Sequence, residues 1–147
     1  MNGQLHTVYL GLGSNLGHRR QLLEQAIRLI DGRVGPVVRR SSLIETEPWG
    51  FQSDHPFLNG VVCCQTTLSP REVLQATQQI ERELGKRPEH ATQRGPSAPP
   101  SYHDRPVDID ILLYDKLVVD EPDLKIPHPL MHEREFVMKP LKQIINN

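Results

Sequence analysis

The chain has 147 residues, of which 37% are hydrophobic and 24% charged. That is enough for one compact domain, expected to span residues 1–147, and it argues against disorder over most of the chain. A formal net charge of −1 lacks the basic excess of a nucleic-acid module, and no apolar run approaches the roughly 20 residues of a membrane span.

Met1 to Thr7 is polar and lacks the charged-then-apolar layout of a signal peptide, so a cytoplasmic protein is expected. The spacing predicts a first strand over 8–12, running into turn chemistry at Gly13-Ser14-Asn15-Leu16-Gly17. Leu22, Leu23, Ala26, Ile27 and Ile30 then recur at helical spacing, with a stop at Asp31-Gly32. Residues 37–46 read as one strand, broken by Glu47-Pro48-Trp49-Gly50. A second β-rich run covers 57–67, and its centre, Val61-Val62-Cys63-Cys64, suggests a strand covered on both faces. The two cysteines read as small core residues with free thiols; their adjacency matches neither a disulfide framework nor a zinc site.

Ser69-Pro70-Arg71-Glu72 carries a capping box with proline at the first helical position. Val73, Thr77, Ile80 and Leu84 follow on one helical face, and Gly85 ends the helix. Residues 86–106 contain Pro88, Pro96, Pro99, Pro100 and Pro106 together with Lys86, Arg87, Arg94 and Arg105. So long and basic a loop reads as part of an active site. A strong strand follows over 107–114, then a short edge piece over 116–120. A proline-bounded crossing spans 122–129, and a last helix over 132–145 is interrupted or bent at Pro140. The order strand, helix, strand, strand, helix, strand suits an α+β domain with helices packed on one face of an antiparallel sheet.

The strongest chemical signal is Asp108-Ile109-Asp110-Ile111-Leu112-Leu113-Tyr114. Alternation puts Val107, Ile109, Ile111 and Leu113 on one face and the aspartates on the other. Two carboxylates about 7 Å apart at the backbone can converge on magnesium. Such ions can clamp a phosphoryl displacement, and Arg105 stands where it can reach the same phosphates. Thr46, Trp49, Phe57 and Asn59 surround the first long loop, where aromatics and an amide suit a flat heterocycle. His128, between Pro127 and Pro129, is a candidate phosphate donor, with Arg134 and Phe136 close behind. An RNA-binding module would show exposed aromatics on its strand faces; the candidates here are Tyr9, Tyr114 and aspartates.

Taken in order, the Gly13 to Gly17 turn, Thr46 to Gly50, Phe57-Leu58-Asn59, Glu81 to Gly85, Arg105 to Tyr114 and Ile126-Pro127-His128-Pro129 resemble the 6-hydroxymethyl-7,8-dihydropterin pyrophosphokinases of folate biosynthesis. The resemblance covers nearly the whole chain and implies a ferredoxin-like α+β fold. It implies transfer of pyrophosphate from ATP to the pterin hydroxymethyl group with release of AMP. It assigns two magnesium ions to Asp108 and Asp110, with Arg105 beside them as a catalytic group. It assigns the pterin to Thr46, Trp49, Phe57, Asn59 and Phe136, the rings of Phe57 and Phe136 stacking on it. ATP falls to Gln78, Glu81, Lys86, Arg105, His128 and Arg134. The implied partners are these two substrates, with no nucleic acid and no membrane, and a monomer is expected. The stretch from Gly85 to Arg105 is longer than the family's usual loop and lacks the tryptophan often found there.

Overall fold

A computed structural model describes residues 4–15, 18–46, 56–85, 106–129 and 131–145. The strands are β1 His6–Ser14, β2 Val37–Arg40, β3 Ile44–Thr46, β4 Phe57–Thr66, β5 Asp108–Tyr114, β6 Val119–Glu121 and β7 Leu124–Ile126. The helices are α1 Arg19–Arg33, α2 Pro70–Glu83 and α3 Glu135–Ile145, the last preceded by a 3-10 turn at Met131–Glu133. β2 and β3 pair with successive parts of β4, β4 pairs with β1, and β1 with β5, all antiparallel. This is the expected ferredoxin-like arrangement, an antiparallel sheet flanked by helices.

β4 sits inside the sheet, and its apolar run divides between two cores. Val62 and Cys64 face α1 and α2, which contribute Leu23, Ala26, Ile27, Ile30, Val73 and Ile80. Val61 and Cys63 face the other way, toward Met131, Leu141 and Ile144. Each Val, Leu, Ile or Met among these, fully buried, is worth roughly 1.5–3 kcal/mol. The last helix therefore covers the face that the sequence order left bare. It runs through Pro140, and its Leu141 and Ile144 fall on one side at helical spacing.

Several boundaries differ from expectation. The strand read over 37–46 is two strands, because Ser41 interrupts the ladder. Its backbone N–H donates to the Val61 carbonyl at 2.9 Å, while its hydroxyl accepts from the Val61 N–H at 2.9 Å. β1 runs on to Ser14, so Gly13 lies in a strand and not in a turn. α1 continues past Asp31-Gly32 to Arg33. The edge piece is Val119–Glu121, and the crossing contains its partner, Leu124–Ile126. The final α-helix begins at Glu135, not at residue 132. On β5 the pairing skips Leu112: Tyr9 faces Leu113 and Leu10 faces Ile111. This bulge sends Leu113 to the α3 side with Leu112, away from the Ile109 face where simple alternation had put it.

α2 starts as its capping box requires: the Glu72 N–H donates to Ser69 Oγ at 3.2 Å, and the Ser69 N–H to Glu72 Oε1 at 2.8 Å. At its other end Glu83 joins the two helices. Arg33 Nη1 and Nη2 donate to Glu83 Oε2 and Oε1 at 2.7 and 2.8 Å. The Arg33 guanidinium, and then Gln79, hold the Glu83 carboxyl down at about 2. A depressed carboxylate stabilises the fold above its unfolded value, and that contribution is lost as pH falls through the folded one. The Glu83 carboxyl resonance should therefore titrate near pH 2 by NMR. In Arg33→Ala it should move up toward the ordinary range near 4.3; an unmoved midpoint would contradict the pairing.

Candidate active site

Register brings three strands to the site. Asn59 on β4 lies opposite Gly13 on β1, which lies opposite Asp108 on β5. In the next row Val61, Gly11 and Asp110 are aligned in the same way. Leu12, Leu58, Ile109 and Ile111 point into the α1–α2 core, so by alternation both rows face the opposite side. α3 packs over Tyr9, Val61, Cys63 and Leu112, farther along that face. The Asn59–Gly13–Asp108 row belongs to neither apolar cluster.

Asp108 and Asp110 are both half-buried, with the buried Ile109 between them. β5 is a sheet edge, and its outward N–H groups need partners from elsewhere. Glu81 of α2, 7% exposed, supplies one: its Oε2 accepts from the Ile109 N–H at 2.7 Å. A helix carboxylate thus holds the peptide between the two aspartates. Gln78 lies exposed on the same helix, about one turn earlier.

The segment after β7 is tied to the β5 bulge. The His128 N–H donates to the Leu112 carbonyl at 3.1 Å. The imidazole Nε2 stands 3.9 Å from Asp110 Oδ1, beyond hydrogen-bond reach. Burial, and next the Arg134 guanidinium, push the His128 pKa below its ordinary value, while Asp108 pulls it up. The ring is therefore neutral at pH 7, with one N–H to donate. Arg134 sits half-buried just before α3.

On the other side of Gly13, Asn59 is 6% exposed and Phe57 half-buried. Thr46 pairs with Phe57 through the backbone. Arg19 ties down both strand ends here: Nη2 lies 2.6 Å from Glu45 Oε2, and Nη1 donates to the Pro56 carbonyl at 2.8 Å. Trp49, Lys86 and Arg105 lie outside the described residues, as do the side chains of Thr46 and Phe136. A cavity of about 710 Å³, lined by His18, Arg19, Leu43, Glu45 and Leu58 among others, lies near the start of α1. The aspartates do not line it.

Among the described residues no group of three or more His, Cys, Asp or Glu side chains is placed to hold a metal ion. Two half-exposed carboxylates on one face are instead what magnesium needs when it arrives with a polyphosphate, since it keeps waters and phosphates in its shell. Among the described residues, this pair of carboxylates fits an ion that arrives with its own ligands.

Comparison with known proteins decides the family. Residues 9–146 match the family described as 7,8-dihydro-6-hydroxymethylpterin-pyrophosphokinase, HPPK. The chain belongs to this family. A 2-amino-4-hydroxy-6-hydroxymethyldihydropteridine pyrophosphokinase of Porphyromonas gingivalis is 49% identical over 138 residues, 93% of this chain and 89% of that protein. Its Bacillus subtilis counterpart is 41% identical over 137 residues, 92% and 76% of the two chains. A solved chain of Plasmodium falciparum HPPK-DHPS superposes with a TM-score of 0.72 at 15% identity, over 98% of this chain and 42% of that one. That likeness speaks for the fold alone, and this chain spans about two fifths of the solved protein. As an HPPK, the chain is a transferase of the kinase class with pyrophosphokinase activity on a dihydropterin, as the motif resemblance implied.

Of the residues that the HPPK motifs single out, the fold brings Asp108, Asp110, His128 and Arg134 together. Phe57 and Asn59 stand across β1 from them. Sequence reasoning put Gly11 on the first strand but Gly13 in a turn, so it missed that the two glycines share one face of β1, and it missed the backbone partner of Glu81. Leu10-Gly11-Leu12-Gly13 held the signal for the first: glycine alternates there with core leucine at the period of a strand. Nothing local announced the second, because Ile109 is 28 residues away.

Proposed function

We propose that this single domain, residues 1–147, transfers pyrophosphate from ATP to the hydroxymethyl oxygen of 6-hydroxymethyl-7,8-dihydropterin in a magnesium-dependent reaction. The observation that carries the reading is the row Asn59–Gly13–Asp108: an amide and a carboxylate stand on one face of the sheet, on either side of a strand position that has no side chain. The hydroxymethyl oxygen bonds to the β-phosphorus and releases its proton to the solvent. The bridging α–β bond breaks, and AMP leaves with the bridging oxygen.

Asn59 reads the edge of the heterocycle with its amide, and Phe57 lies against its face. Thr46, Trp49 and Phe136 complete the pterin side. Asp108 and Asp110 would hold the two magnesium ions, which would neutralise charge on the phosphate oxygens. Neutral His128 donates its N–H to a phosphate oxygen, and Arg134 adds a fixed positive charge behind it. Arg105 and Lys86 meet the polyphosphate from the basic loop, and Gln78 and Glu81 lie on the ATP side. Catalysis of this kind is mostly alignment and preorganised charge. A cytoplasmic setting agrees with the two buried free thiols, Cys63 and Cys64.

The test is AMP release from ATP and magnesium, with and without the pterin. AMP formation that requires both pterin and magnesium is the expected result. AMP formation independent of pterin, or undiminished by chelator, would overturn the proposal. Asn59→Ala should raise the pterin KM at least about tenfold, the cost of one well-made polar contact, and leave the ATP KM near its original value. Equal losses in both would count against the pterin assignment.

A further inference from the structure

We propose that Met131 is a positioning residue for the reaction: its buried side chain fixes His128 and Arg134 relative to each other and to β5. The inference rests on the reading of those two residues as groups that meet the polyphosphate. His128 follows β7 and Arg134 stands just before α3, so neither is held inside a strand or an α-helix. Groups that act on a transferring phosphate need placement to within roughly 0.5 Å. One run of backbone bonds links them. The His128 N–H donates to the Leu112 carbonyl at 3.1 Å, and the Met131 N–H to the His128 carbonyl at 3.3 Å. The Arg134 N–H donates to the Met131 carbonyl at 3.2 Å, and the Arg134 carbonyl accepts from Val137 and Met138 at 3.0 and 2.9 Å. The run leads from the β5 bulge into α3, and Met131 is the link between the two site residues.

These bonds are a weak hold by themselves. The two that flank Met131 are long, and a three-residue turn has poor hydrogen-bond geometry. The turn needs a second anchor, and its side chains show which one it has. His132 and Glu133 are exposed, whereas Met131 is 2% exposed. Met131 packs in the cluster of Tyr9, Val61, Cys63, Leu112, Leu141 and Ile144, drawn from β1, β4, β5 and α3. Leu112 enters twice: its side chain belongs to that cluster, and its carbonyl holds His128. The same strand carries Asp110, whose Oδ1 stands 3.9 Å from His128 Nε2. A turn that rides up from the sheet therefore shifts both His128 and Arg134 against the aspartates. Ile144 is buried in the same cluster, at 4% exposure, but it lies near the end of α3 and off this run.

The experiment compares Met131→Ala with Ile144→Ala, which opens a cavity in the same cluster, by kinetics at a temperature where melting curves show both folded. Both should melt earlier than wild type. Met131→Ala should lower kcat/KM for magnesium-ATP by about tenfold and leave the pterin KM within about twofold. Ile144→Ala should keep both parameters within about twofold of wild type. In a His128→Ala background the further loss from Met131→Ala should shrink to about threefold or less, because one of the groups it positions is gone. Met131→Leu, which conserves volume, should restore the kinetics. If Met131→Ala does not fold, Met131→Val makes the same comparison with a smaller truncation. Equal kinetic losses in Met131→Ala and Ile144→Ala, or a full tenfold loss in the His128→Ala background, make Met131 a packing residue and overturn the inference alone. Wild-type kcat/KM in both His128→Ala and Arg134→Ala overturns the reading of those residues and the inference with it.

Discussion

Replacing Asp110 by asparagine is expected to lower kcat by about a thousandfold or more. The change keeps the size of the side chain and removes one negative charge from a face that has two carboxylates on β5. Asp110 stands beside Gly11 and 3.9 Å from His128 Nε2, between the sheet floor and the crossing segment. The fold should not suffer. Aspartates about 7 Å apart at the backbone repel one another by about 0.6 kcal/mol even in a water-like dielectric, and the variant relieves this. Its melting temperature in metal-free buffer should equal or slightly exceed that of wild type. Magnesium with a non-hydrolysable ATP analogue should stabilise wild type and leave Asp110→Asn nearly unmoved, as linkage requires of a protein that binds the pair only in its native state. Near-normal turnover would contradict the metal assignment. Inactivity with a lowered melting temperature would make Asp110 a structural residue.

The fold was largely legible because its signals are local. The capping box at Ser69, the helical spacing of Leu23 to Ile30 and the apolar run of β4 each specify an element without reference to the rest of the chain. What escaped was set by tertiary contacts. Ser41 breaks a strand because its own hydroxyl takes the bond that a backbone group would have made to Val61. The β5 bulge is invisible in a run of Ile, Leu and Leu, since every register of that run is apolar. α3 fills the far face of the sheet, and the strand-helix order says nothing of a helix that follows the last strand of the motif. In the site, the aspartates could be read from period-two alternation, but their neighbours could not: the pairing of β1 with both β4 and β5 is what sets Asn59 and Asp108 on one row.

Glu81→Ala should be the most damaging change among the residues that flank the two aspartates. The resemblance assigns Glu81 to ATP, but in the fold its carboxylate accepts the Ile109 N–H at 2.7 Å and is 7% exposed. Alanine leaves that edge amide buried without its acceptor, at about 1–3 kcal/mol. It also frees the peptide that joins Asp108 to Asp110. A shift of about 1 Å in such a pair can lower the rate by about a hundredfold. Glu81→Gln separates this positioning role from a charged contact with nucleotide, because the amide oxygen can still accept the bond. If Glu81 positions the strand, the glutamine variant keeps its melting temperature, most of its kcat and slow exchange at the Ile109 amide, while alanine loses all of these. If its charge acts on ATP, glutamine folds like wild type and the ATP KM rises as far as it does with alanine. Hydrogen exchange at Ile109, measured beside the kinetics, decides between them, because a nucleotide contact alone gives no reason for that amide to lose protection.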